Sequence, residues 1–442
     1  MHAPTVRILS TGSEILQGLY TDTNAQGLAQ RLLEAGFRVI AHAAAPDDQK
    51  LIRETIEFAS ERCDLVVMTG GLGPTEDDVN RDVIAELYGL ALEFDATSEQ
   101  MMRKRFYSRG VPMPERNRVQ AMIPVGAVIL HNHWGTAPGF LVPAQAGRGA
   151  LLALPGPRTE WFPMLGEALK PGGVIDAAFP ARPVQDVHTL HMALTPESTL
   201  NEVLRDLFAP SNGVELTILA SRGIIRLRIV GTGNDRASLA SAIQERRDEI
   251  IRRIGSEIVF AEGPDSVGLA EALIRTLRER EETVALSESC TGGWVAKSLT
   301  DVGGASDVFG CGWVTYANSA KVRDLGVDAA LLEREGAVSE ATARAMAEGA
   351  RTRSGATWAL AVTGIAGPTG GSATKPVGLV WFAIAGPSGT KAFQRIFRGD
   401  RDSIRHWAVN QALESIRRTA LGIPLEQYLG GANPRFLDET KS

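Results

Sequence analysis

Cysteine is scarce in this 442-residue chain: Cys63, Cys290 and Cys311 are the whole complement. An odd count with no C-x-x-C pair argues against a disulfide framework and against a structural zinc site. A basic excess is also missing. Lys and Arg number 46 against 52 Asp and Glu, for a net charge of −6. No global positive footprint directs the chain to nucleic acid, and direct nucleic-acid binding is not expected. No apolar run reaches the roughly 18 residues that a membrane helix needs. The opening MHAPTVRILSTG enters a strand-like run without the apolar core of a secretory leader. These absences lead to the expectation of a soluble, cytoplasmic protein with no membrane partner. Histidine is missing from the long interval between His191 and His406. A Ser–His–Asp triad therefore has few candidates in the last third of the chain.

What is present is glycine, 46 residues of it, clustered at 70–73, 292–293 and 364–371, where it predicts tight loops. The length suggests two to four domains. The first region alternates strand-like runs (VRILST, RVIAHAAA, DLVVMTGG) with helix-like ones (TNAQGLAQRLLEAGF, DQKLIRETIEFASERC). This predicts a parallel sheet covered on both faces, with ligands at the carboxyl ends of its strands. Thr75 is expected to cap the helix DDVNRDVIAELYG. Gly172 and Gly173 look like a boundary. Residues 184–262 read β-α-β-β-α-β, a small α+β module of ferredoxin-like or KH-like order. Its Arg226 and Arg228 alternate outward, as a solvated strand face or an RNA contact, but no G-x-x-G loop of the KH kind is present. From about 265 a second α/β pattern begins and runs to a helix ending near Leu421, followed by a polar tail.

Two clusters carry chemistry. In VALSESCTGG (284–293) a strand ends in Ser287, Glu288, Ser289, Cys290 and Thr291 before two glycines and a helix. Backbone donors at a helix N-terminus can lower a nucleophile's pKa or hold an oxyanion. Gly292 and Gly293 would let a ligand approach the backbone, with Thr291 on the rim. With no histidine near, the base for Ser289 would be Lys321 in TYANSAK, its pKa lowered by burial, with Tyr316 relaying a proton or orienting the amine. Ser289 as a plain helix cap beside a solvated Lys321 is the competing reading. Cys290 should face the other side as a packing residue. The loop TGIAGPTGGSATKP, with Thr363, Gly364, Gly367, Gly370 and Gly371, could form an anion-binding concavity or a plain tight turn. It lacks the P-loop order.

The second cluster joins TGSEILQG, PDD and TGGLGPTEDDVNRD. Gly70, Gly71, Gly73 and Thr75 could cradle a phosphate or pyrophosphate. Glu14, Asp47, Asp77 and Asp78 are oxygen donors suited to a hard cation. Asp77 and Asp78 could equally serve only the helix dipole.

SESCTGGWVAKSLTDVGGAS, GWVTYANSAKVRDLGV, GAVSEATARAMAEGA and VTGIAGPTGGSATKPVGLVWFAIA resemble the C-terminal domain of the CinA family (competence/damage-inducible protein A). The front motifs, with RGVPMPERNRVQAMIPVGAVILHNHWGTAPGF and LPGPRTEWFPM, resemble the molybdopterin-binding-like half of the same family. The resemblance implies α/β and α+β domains in series. Residues 1–172 would form a three-layer α/β/α molybdopterin-binding-like domain. A KH-like linker would follow at 173–262, an α/β amidohydrolase domain at 263–426 and a flexible tail at 427–442. It implies deamidation of nicotinamide mononucleotide by Ser289, Lys321 and Tyr316, with no cofactor in that domain. It also implies hydrolysis of ADP-ribose to AMP and ribose 5-phosphate in the front domain. That step would need a divalent metal such as Mg²⁺ or Co²⁺ at Glu14, Asp47, Asp77 and Asp78, with K⁺ assisting. Small phosphorylated nucleotides, a homodimer and a competence or recombination partner are the implied associations. Ser13 stands where many relatives have Asp, and Asn80 where the family usually has Thr. A molybdopterin-binding protein and a non-enzymatic adaptor are the alternatives.

Overall fold

The computed structural model describes residues 3–263 and 267–425, so the expected tail at 427–442 lies outside the described residues. The chain forms two compact units, Met1–Asp186 with Gly231–Ala240, and Val187–Val230 with Ser241–Ser442.

The first unit begins β1 (Thr5–Thr11), α1 (Ser13–Leu16), α2 (Thr23–Glu34), β2 (Arg38–Ala45), α3 (Gln49–Ser60), β3 (Leu65–Thr69) and α4 (Asn80–Leu87). It continues β4 (Leu92–Phe94), α5 (Ala96–Ser108), β5 (Met122–Pro124), β6 (Val128–Leu130), β7 (Gly139–Val142), β8 (Ala150–Leu154), α6 (Arg158–Leu169) and α7 (Val174–Ala178). The main sheet runs β2-β1-β3-β8-β7-β6. LVVMT of β3 and ALLAL of β8 are buried at every position, as strands covered on both faces must be. One face packs on α2 and α6 through Leu28, Trp161 and Leu165. The other packs on α3 and α4 through Ile52, Ile56 and Ile84. Asp22 and Asp48 start α2 and α3 by accepting from the N–H groups of Ala25 (3.0 Å) and Leu51 (2.9 Å). The sheet is not wholly parallel as expected. β1, β2, β3 and β8 are parallel, but β7 pairs antiparallel with both β8 and β6, because short connections can join only antiparallel neighbours. Thr75 does not cap α4 either. The Asp78 carboxylate captures both its N–H and its hydroxyl in a turn, and the helix starts only at Asn80. Ile175 of α7 is fully buried in the first unit's core, beyond the glycines at 172–173.

A small α+β module follows, most of it in the second unit: β9 (Val184–Ala193), α8 (Glu197–Val203), β10 (Val214–Ser221), β11 (Ile224–Gly233), α9 (Arg236–Ile254) and β12 (Val259–Gly263). Its sheet order is β10-β11-β9-β12. There follow α10 (Leu269–Glu279), β13 (Val284–Glu288), α11 (Trp294–Thr300), β14 (Phe309–Val314), α12 (Asn318–Leu325) and α13 (Ala329–Glu335). The chain closes with α14 (Glu340–Ser354), β15 (Trp358–Gly364), β16 (Leu379–Gly386), β17 (Gly389–Ile396) and α15 (Arg401–Ala420). The sheet here is β14-β13-β15-β16-β17. β13 is parallel to both β14 and β15, and the remaining pairs are antiparallel. Alternation along each strand sorts the side chains. Leu286, Leu360 and Phe382 meet α10 and α15. Ala285, Ala359, Ala361, Ala383 and Ala385 form a shallow face that α14 covers with Ala343, Met346 and Ala347. Ser339 caps α14 at Thr342 N–H, and left-handed Gly355 ends it.

Among the described residues no helix is long and apolar enough to cross a membrane. Near the end of α15 the buried Glu414 carboxylate accepts from Arg417 (2.7 and 2.8 Å) and from Arg418 (2.7 Å), both also buried. Removing one partner of a buried ionic group strands the rest. Glu414→Ala should therefore cost about 3–5 kcal/mol of stability, read as an earlier urea midpoint. An unchanged midpoint would contradict this burial.

Candidate active site

Three parallel strands, β14, β13 and β15, end side by side, with Glu288 in register between Val314 and Val362. The pairing persists one step further: Thr315 N–H donates to Glu288 O, and Ser289 N–H to Val362 O, each at 2.9 Å. Strand alternation then decides what each polar residue of VALSESCTGG does. Ser287 points toward α14, its hydroxyl on Met346 O at 3.3 Å. Glu288 points to the opposite face. Its buried carboxylate accepts from the N–H groups of Gly293 (2.9 Å), Val295 (3.1 Å) and Ala296 (2.8 Å). Glu288, not Ser289, is thus the cap of α11, and its charge rests against the positive end of that helix.

Ser289 faces Lys321 of α12. The amine is wholly buried and lies 3.2 Å from Ser289 Oγ, 2.7 Å from Thr315 O and 3.4 Å from Tyr316 O. Burial drives the Lys321 pKa below its ordinary value of 10.5, because a low-polarity surround penalises the ammonium. A neutral amine has two N–H donors and one lone pair. In its neutral form the amine can give those donors to the two carbonyls and turn its lone pair to the Ser289 hydroxyl. Cys290 turns into the hydrophobic core on the α10 side. Burial pushes its thiol up to about 12, so it stays protonated and unreactive.

Gly292 and Gly293 take left-handed backbone, at φ 62° and 90°. Their N–H groups are consumed within the turn, by Ser289 O and Glu288. Thr291 is fully buried, and its hydroxyl has no partner among the described residues. Thr363, beside Ser289 on β15, is buried and donates to Ala337 O at 2.7 Å. Gly364 is wedged against Val380 and Leu379, where a Cβ would approach within 2.7 Å. Gly367 offers its carbonyl to Arg401 at 2.7 Å, while Gly370 and Gly371 lie exposed on the same loop. The Tyr316 side chain is 61% exposed, and its hydroxyl accepts from Arg401 at 3.0 Å. Only its backbone carbonyl meets Lys321; the phenol stands at the rim.

Two arginines were not singled out from the sequence. Arg401 joins the loop at Gly367 to Tyr316. Arg405 donates to Cys290 O at 3.1 Å and to Thr291 O at 2.8 Å, and stacks on Trp294. Their i, i+4 spacing in the first turns of α15 puts them on one face, the sole hint the sequence offers.

In the first unit the glycines are demanded by side chains crowding them. A Cβ on Gly71 would sit 2.2 Å from Asn80 Nδ2, and one on Gly73 would sit 2.4 Å from Asp78. Gly70 carries φ 102° over Thr11. Asn80 ties the ends of β1 and β3, donating to Thr11 Oγ1 and Gly70 O, each at 2.8 Å. The Asp47 carboxylate accepts Ser13 N–H at 2.8 Å, and Ser13 Oγ accepts Asp47 N–H at 3.1 Å. Asp78 is engaged by Thr75. The four expected metal carboxylates, Glu14, Asp47, Asp77 and Asp78, are not gathered. Among the described residues no group of three or more His, Cys, Asp and Glu is disposed to hold a metal ion.

Residues 267–420 match the family described as "CinA C-terminal domain", 7–172 the "Probable molybdopterin binding domain", and 188–259 the "Damage-inducible protein CinA KH domain". A CinA-like protein of Anaeromyxobacter dehalogenans is 42% identical over 414 residues, covering 93% of this chain and 98% of its own. One from Akkermansia muciniphila is 39% identical over 414 residues, covering 93% and 96%. Among solved structures, a competence/damage inducible protein of Agrobacterium tumefaciens is 46% identical over 34% of this chain and 91% of its own, with a TM-score of 0.33. All three domain matches fall in order along one chain, and relatives run nearly end to end with it: the chain belongs to the CinA family.

Proposed function

We propose that the C-terminal site is a Ser–Lys amidohydrolase acting on the carboxamide of nicotinamide mononucleotide. The observation that carries this reading is the buried contact of 3.2 Å between Lys321 Nζ and Ser289 Oγ. Ser289 Oγ attacks the carboxamide carbon while its proton passes to Lys321 Nζ. The C–N bond then breaks, and Lys321 returns the proton to the departing nitrogen, which leaves as ammonia. Water attacks the resulting ester. Its proton goes to Lys321 and on to Ser289 Oγ, and nicotinate mononucleotide leaves. Nothing in this cycle draws on Cys290.

For the first unit a specific observation favours binding over hydrolysis. Its residues 7–172 match the family described as "Probable molybdopterin binding domain". We therefore read it as a site for a phosphorylated pterin-like ligand at the carboxyl ends of β1 and β3. Hydrolysis of ADP-ribose is the competing reading.

Ammonia release from nicotinamide mononucleotide tests the first proposal. Ser289→Ala and Lys321→Ala should each lose about a thousandfold or more in kcat, while Cys290→Ala keeps wild-type turnover. Full activity in Ser289→Ala would reject the mechanism, and an inactive wild type would leave a non-enzymatic adaptor. For the first unit, the full-length Ser289→Ala chain should bind molybdopterin in a calorimeter and leave ADP-ribose intact with Mg²⁺ or Co²⁺ added. Release of AMP would restore the pyrophosphatase reading.

A further inference from the structure

The turn between β10 and β11 belongs to the small module, far in sequence from Ser289, yet it is fastened to α15. Asn410 Nδ2 donates to Arg222 O at 2.8 Å. The Arg222 guanidinium lies 3.3 Å from His406 Nδ1 and 3.5 Å from Asp402. Gly223, at φ 87°, sits so close to Trp407 that a Cβ there would fall 2.5 Å from its ring. Asp402, His406 and Asn410 follow one another at helical spacing and share a face of α15.

Arg401 and Arg405 form the neighbouring row, and both end on the candidate active site. Arg405 is bonded to the carbonyls of Cys290 and Thr291, the two residues after the nucleophile. Arg401 is bonded to Gly367 O and to Tyr316. The two rows also touch through one ring. Trp294 meets His406 edge-on at 5.1 Å and carries the Arg405 guanidinium on its face at 5.1 Å. An unbroken set of contacts therefore runs from Arg222 through His406, Trp294 and Arg405 to the turn that bears Ser289.

We propose that the β10–β11 turn of the small module positions the nucleophile's turn, with α15 as the rigid bar and Arg405 as its last link. This rests on the reading of Ser289 as the nucleophile, but it gives the small module a task of its own. It makes Arg222, Arg401 and Arg405 positioning residues. None of them touches the reacting atoms in this scheme. Its chemical sense is that the carbonyls of Cys290 and Thr291 are fixed by a charged donor. The peptide planes that carry those carbonyls, and with them the adjoining N–H groups, are then fixed before substrate arrives.

The test compares wild type, Arg222→Ala, Arg405→Ala, the double variant, and Glu215→Ala as a control on exposed β10. Amide hydrogen exchange of a peptide spanning 284–297 should speed up in Arg222→Ala and in Arg405→Ala and stay at the wild-type rate in Glu215→Ala. Deamidation of nicotinamide mononucleotide should lose about threefold or more in kcat in Arg222→Ala, with KM unchanged. The double variant should be no slower than Arg405→Ala alone. If exchange in 284–297 is unaltered by Arg222→Ala, or if the two substitutions multiply independently, the inference is overturned. If wild type shows no deamidation while exchange responds as described, the proposed substrate fails and the positioning role stands.

Discussion

Everything at the candidate site depends on taking one amine out of water. A lysine at the surface is an ammonium at neutral pH and cannot accept a proton. Lys321, on α12, is enclosed at the ends of β13 and β14, with two backbone carbonyls to accept from its amine and, among the described residues, no carboxylate paired with it. Had the carboxylate of Glu288 fallen on the same face of β13, it would have favoured the ammonium and disabled the base. Strand alternation sends it to the other side, where α11 absorbs its charge. The separation of the Lys321 amine from a neighbouring carboxylate is thus a consequence of a two-residue period.

The same strand alternation assigns the rest of the turn. Cys290 goes to the core, Ser289 to the amine, and the glycines take the left-handed conformations that let the chain fold back into α11. The N–H groups of Gly292 and Gly293 are used up in making that fold. Neither glycine N–H is left free to cradle a phosphate, and in the proposed reading the turn seats the nucleophile. Arg405 holds the outside of the turn by its carbonyls, as Glu288 holds the inside by its N–H groups.

The order of strands and helices was legible in the sequence, because buried strands such as DLVVMTGG and TWALAVTG stand out between capped amphipathic helices. The pairing of Ser289 with Lys321 was legible as a candidate, since histidine is missing over the whole interval. The role of Glu288 was not legible, because it depends on where the strand stops and on which side the helix begins. Thr75 misled because Asp78, three residues on, accepts both its N–H and its hydroxyl in a turn, and the helix starts only at Asn80. The carboxylates at 14, 47, 77 and 78 read as a ligand set because each follows the carboxyl end of a strand, Glu14 in α1 and the other three in loops. Whether loops converge is a matter of three-dimensional placement, and here Ser13 N–H donates to Asp47 and Thr75 donates to Asp78. Arg405 was invisible because it meets its acceptors from 114 or more residues away.

The central claim is that a desolvated, neutral Lys321 takes the proton of Ser289. The pH dependence of kcat/KM for nicotinamide mononucleotide tests it most directly. Protonation makes the amine useless as a base, and a pKa below the ordinary 10.5 moves that loss to lower pH. The rate should therefore rise with pH along a single limb and level off below 10.5, and Lys321→Ala should abolish that limb along with the activity. A rate independent of pH across this range, or a limb at the ordinary lysine value, would contradict the account.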